Sequence, residues 1–173
     1  MSNKEIIAQI LGFVPLILSY FVFFFNDRRK MIITKTVSDI LWTIHMIMMG
    51  AVSGAIVNGI CIIRGIVFLN KEKVKKAGII VPILFSTVML ISSALSWDGI
   101  ISILPAIGST LGVIGYWCNK PENMRRVIFP GLVLWTIYTI SVFSVSGIIN
   151  NAISIISIIM TEIRCRKKLN KED

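Results

Sequence analysis

The 173-residue chain is 55% hydrophobic and 16% charged, with a mean hydropathy of +0.81 and a formal net charge of +9. A soluble domain of this length can bury a core, but its interior cannot hide this many apolar residues. The basic excess flanks apolar runs instead of forming one patch, which argues against a nucleic-acid-binding domain and for a multispan membrane protein whose expected partner is the lipid bilayer.

The first predicted span, about 5–25, follows Lys4 and ends in Phe23-Phe24-Phe25 before Asn26-Asp27-Arg28-Arg29-Lys30. No small-residue cleavage site follows the run, so it reads as a retained helix and not as a signal peptide. The second and third spans, about 36–50 and 53–69, are divided only by Gly50-Ala51-Val52-Ser53-Gly54. A tight Gly/Ser turn is expected there, with one broken helix as the alternative. The fourth to seventh spans cover about 77–96, 100–118, 126–143 and 146–163, and the same turn recurs as Phe143-Ser144-Val145-Ser146-Gly147. Cys61, Cys118 and Cys165 have no metal or disulfide spacing and read as small apolar packing residues. No metal or cofactor is expected.

The second and third spans return later in the chain. Residues 41–64 and 134–157 share 13 of 24 positions at an offset of 93. Six of those are Ile–Ile matches; the other seven include Trp42/Trp135, Gly54/Gly147 and Asn58/Asn151. Beyond this stretch, Leu11, Leu18, Asn26 and Met31 match Leu104, Leu111, Asn119 and Met124. Three spans is an odd number, so an unpaired fourth span restores parallel orientation between two copies. The expected fold is an all-α membrane protein of seven helices, two parallel three-helix bundles joined by a linker helix in a 3+1+3 layout. Its parts are residues 1–70, the linker 71–98, residues 99–165 and a basic tail 166–173.

With seven spans, 16 of the 18 Lys and Arg residues fall on one side, leaving Lys4 opposite and Arg64 within a span. The positive-inside rule then places the N-terminus outside and the C-terminus in the cytoplasm.

Polar residues inside spans are costly unless satisfied, and so mark candidate sites. Asn58 and Asn151 would face a central cavity, where amides can bind hydroxyls or a carboxylate; interhelical glue is the rival use. Trp42 and Trp135 sit mid-span, away from interfacial belts, with helix packing as their rival use. Asp39, Trp42 and His45 follow helical spacing on one face, and Tyr138 is the counterpart of His45. Asp39 and Arg64 lie at similar depth and are expected to pair as a clamp or gate, with Glu162 near the same surface. The alternative is that Arg64 snorkels to the headgroups. Pro15, Pro105 and Pro130 are candidate hinges, with Pro82 in the linker span, and Gly108, Gly112 and Gly115 allow close packing.

The layout, with prolines in spans one, five and six and an asparagine in spans three and seven, resembles the SWEET and PQ-loop transporters. In that family matching asparagines line a sugar site and helix prolines support rocking. The PQ dipeptide itself is absent: Leu16 follows Pro15, and Ala106 follows Pro105. More closely, the chain resembles the YgjV-type bacterial inner membrane proteins through Ala55-Ile56-Val57-Asn58, Leu104-Pro105-Ala106-Ile107-Gly108-Ser109, Met124-Arg125 and Trp135 to Gly147.

The expected function is therefore a small-solute transporter or facilitator working by alternating access on sugars or other small polar solutes. The alternative is a non-transporting assembly or regulatory protein. A membrane enzyme would need convergent catalytic groups, which one histidine and two carboxylates near one surface do not supply. A second copy of the chain is a candidate partner.

Overall fold

The computed structural model describes residues 3–74, 78–97 and 99–172, with the backbone alone for residues 3–6, 8, 9, 74, 166 and 168–172. Lys75 and Lys76 lie outside the described residues, as do the side chains of Lys4, Arg166, Lys168 and Lys171. Among the described residues there is no strand.

Among the described residues, seven helices of at least 14 residues follow one another: α1 (Asn3–Phe24), α2 (Arg28–Met48), α3 (Val52–Leu69), α5 (Ile80–Leu95), α6 (Leu104–Trp117), α7 (Pro121–Ser141) and α8 (Val145–Glu172). The one-turn α4 (Lys71–Val74) follows α3, and a 3₁₀ turn (Ile100–Ile103) leads into α6. Among the described residues, four segments are long and apolar enough to cross a membrane: Arg28–Met48, Val52–Leu69, Ile100–Trp117 and Val145–Cys165. Ile10–Phe24 and Ile80–Leu95 are shorter apolar helices. α7 falls outside both groups because Glu122, Asn123, Arg125 and Arg126 crowd its first turns.

Several helices begin earlier than hydropathy places them. α2 starts at Arg28, not near 36, because Asp27 caps it by accepting from the Lys30 amide at 2.7 Å. Arg28, Arg29, Lys30 and Lys35, expected in a loop, are thus helical. α7 starts with Pro121 at its first position, where the missing N–H costs no hydrogen bond. Pro105 occupies the same kind of position in α6, whereas Pro15 and Pro130 lie inside α1 and α7.

The two turns anticipated from sequence have the same construction. The Ala51 amide bonds Met46 O at 2.9 Å and the Gly50 amide bonds Ile47 O at 3.1 Å. At an offset of 93, Ser144 bonds Thr139 O at 2.9 Å and Phe143 bonds Ile140 O at 3.1 Å. Both are Schellman caps, which need a left-handed residue after the helix. Gly50 supplies it at φ 72°; the second copy uses Phe143 at φ 52°.

Six helices close a ring: α1 packs on α2, α2 on α3, α3 on α6, α6 on α7, α7 on α8, and α8 on α1. α5 packs outside it, against α3 and α6. The polarity of the ring is inverted relative to a soluble protein. Ile10, Ile17, Ile63, Ile83, Ile137 and Ile156 are exposed, while Ser38, Ser109, Ser146, Ser154 and Ser157 are buried. An apolar exterior over a serine-rich interior suits hydrocarbon surroundings.

Candidate functional site

A cavity of about 80 Å³ opens within the ring, and its wall is built from sequence-matched pairs. Trp42 and Trp135, Asn58 and Asn151, Cys61 and Ser154, Met46 and Thr139, and Phe23 and Tyr116 all line it, each pair 93 residues apart. The two copies therefore meet across this space. α2 and α7 supply the tryptophans, α3 and α8 the asparagines.

The paired residues differ in how they are satisfied. Trp135 Nε1 donates to Ser109 Oγ at 3.1 Å. The position equivalent to Ser109 is Leu16, and Trp42 Nε1 is buried without a partner. Asn151 Nδ2 donates to Thr139 Oγ1 at 3.3 Å, and Asn150 Nδ2 donates to Asn151 Oδ1 at 3.4 Å. Met46 stands where the first copy would need that threonine, and a thioether is a weak acceptor. Asn150 Oδ1 is itself left without a partner.

At one end of the cavity sit the charges. Arg64 on α3 lies 3.5 Å from Asp39 on α2, and Lys35, one turn before Asp39, contacts the same carboxylate. Asp39 is fully buried and Arg64 is 3% exposed. Arg64 crosses to α6: its guanidinium stands 4.9 Å from the Tyr116 ring centre, and a Cβ on Gly112 would lie 3.2 Å from its Nη1. Glu162 does not join this cluster. It bonds Arg126 at 2.8 Å on a separate surface, because α8 turns that face toward α7.

His45 and Tyr138 are likewise not in the cavity wall. Each reaches over the turn end of the ring to the other copy. Tyr138 Oη lies 3.0 Å from Ser53 Oγ and accepts from the Gly54 amide at 3.1 Å. His45 Nε2 shares a hydrogen bond of 2.8 Å with Ser144 Oγ. One turn beyond Trp42 and Trp135, the neighbouring helix starts have closed over the cavity and take up these two polar tips.

At the opposite, basic end, three inward-turning residues are not evident from the sequence. Arg28 donates to Cys118 O and Tyr116 O at 3.1 Å and to Phe68 O at 3.3 Å, capping the last carbonyls of both α3 and α6. Lys71 donates to Trp117 O and, at 2.8 Å, to Asn119 Oδ1. Arg125 is only 2% exposed and donates to Asn26 Oδ1 at 3.2 Å. All three looked like loop charges, and nothing in a basic run says which member turns inward.

A family model described as Imp-YgjV, bacterial inner membrane protein, matches residues 6–169. No curated protein and no solved structure matches the chain.

Proposed function

Because the chain belongs to the Imp-YgjV family of bacterial inner membrane proteins, we propose that it carries a small polar solute across that membrane by alternating access. One observation supports this above all: matched residues of two sequence copies wall one cavity inside a helix ring, with polar groups set among apolar ones. Packing alone does not call for buried polar atoms left without partners beside such a space.

In this reading all seven long helices span, as two parallel triplets joined by α5, a layout like that of the SWEET and PQ-loop transporters. The basic end faces the cytoplasm and α1 begins outside. The bilayer is accommodated by tilt and local thinning around the shorter helices. The cavity holds about 80 Å³, below the roughly 150 Å³ that encloses a benzene. Such a space belongs to a closed state, and passage requires opening at each end in turn. The Asp39–Arg64 pair gates the cytoplasmic mouth, and Pro15 and Pro130 supply bends.

The test is uptake into proteoliposomes from a panel of sugars, polyols, amino acids and carboxylates. Wild type accumulates a solute, and a variant carrying both Asn58→Leu and Asn151→Leu does not. Absence of uptake across the panel, with a cellular phenotype that survives both substitutions, returns the protein to the assembly or regulatory reading.

A further inference from the structure

We infer that the solute of this cavity is a small hydroxycarboxylate bound as an anion; the inference rests on the transport reading above and narrows it.

The first support is charge. Lys35 and Arg64 both line the cavity, and both contact the one carboxylate of Asp39. Among the described residues no second acid pairs with either cation. The equivalent positions of the second copy are Ile128, Leu132 and Ser157, which bring no charge. One positive charge is thus left over at the cavity wall, where its cost grows with burial: the Arg64 side chain is 4% exposed and that of Lys35 26%. A monovalent anion removes the imbalance; a neutral solute leaves it, and a cation worsens it.

The second support is hydrogen bonding and is independent of charge. Four wall side chains, each at least nine-tenths buried, hold a polar atom without a partner: Trp42 Nε1, Arg64 Nε, Tyr116 Oη and Asn150 Oδ1. Two of these only donate, the tyrosine hydroxyl donates or accepts, and the amide oxygen only accepts. The matching ligand is rich in acceptors and carries at least one donor. A carboxylate with a neighbouring hydroxyl has that balance.

The experiment uses the purified full-length protein in detergent and reads its thermal unfolding midpoint. Potassium lactate and glycerate are compared with glycerol, propane-1,2-diol, and potassium chloride at matched ionic strength. The hydroxycarboxylates raise the midpoint saturably; the neutral compounds and chloride do not. Arg64→Gln abolishes the shift. Should that variant fail to fold, Ser109→Asp is the second arm. Ser109 lines the same wall and accepts from Trp135, which a carboxylate also does. It raises the midpoint without ligand and removes the response to lactate. A lowered midpoint with the lactate response intact overturns the inference, as does an equal shift from chloride. A shift from glycerol but not from lactate overturns the anion while leaving the transport reading standing. No shift from any solute in the wider panel of sugars and amino acids overturns both.

Discussion

His45 and Ser144 share a buried hydrogen bond of 2.8 Å across 99 residues, and Tyr138 reaches in the opposite direction to Ser53, whose counterpart Ser146 stands 3.5 Å from the same His45 nitrogen. Each copy thereby clasps the first turn of the other's last helix. Removing the hydroxyl in Tyr138→Phe strands the Gly54 amide and the Ser53 hydroxyl, at about 1–3 kcal/mol. Chemical unfolding in micelles should show that loss, with the response to solutes unchanged because Tyr138 stands outside the cavity wall.

The Asp39–Arg64 pair should behave as a coupled unit. Asp39→Asn leaves the buried Arg64 guanidinium uncompensated and costs about 3–5 kcal/mol, whereas Arg64→Gln costs less because Lys35 still contacts the Asp39 carboxylate. The double substitution should cost clearly less than the sum. A double-mutant cycle on unfolding free energies measures this, and additivity would show that Arg64 makes its main contact elsewhere.

α6 and α7 meet backbone to backbone. A Cβ on Gly131 would stand 2.5 Å from the Gly108 carbonyl oxygen, which cannot move aside as a flexible side chain can. Gly131→Ala should destabilise by about 1–3 kcal/mol. Gly59→Ala, in the interior of α3 with nothing within 4 Å, should be neutral or stabilise by up to about 1 kcal/mol. Unfolding the two variants in parallel separates packing from helix propensity.

Phe143 holds a left-handed conformation that its counterpart Gly50 holds without strain. Phe143→Gly should stabilise by about 1 kcal/mol, since the ring is 82% exposed and gives up little packing. A substantial loss of stability instead would mean that the ring is covered in the membrane, by lipid or by another copy.

Accessibility labelling of the termini checks orientation. A tag at residue 1 should be reached from outside intact spheroplasts, and one after residue 173 only after lysis. An N-terminus on the cytoplasmic side would remove the topology and the placement of the gate together.

Much of this was legible because the chain carries its own comparison. The offset of 93 picked out Trp42, Trp135, Asn58 and Asn151, and all four line one cavity. It also located both turns. Spacing on a helix face could not tell how high along the ring a residue stands, so His45 and Tyr138 were grouped with the tryptophans although they lie beyond the closed end. Hydropathy set helix starts too late at α2 and α7, where capping and N1 proline decide. Glu162 was assigned by depth alone; its partner depends on which face α8 turns to α7. Arg28 and Arg125 fall between the predicted spans, because inward-facing basic residues near a helix end have the same sequence signature as outward ones.

Arg28 finally bears on how the chain is made. It leaves the ribosome 90 residues ahead of Cys118, and its two carbonyl acceptors on Tyr116 and Cys118 do not exist until then. At about 5–20 residues per second, that is a wait of roughly 5–20 seconds. During that interval the Arg28 guanidinium is served only by water, headgroups or the Phe68 carbonyl. The first half of the chain is therefore finished by the second, and the order of synthesis makes α6 the step that seals the basic end.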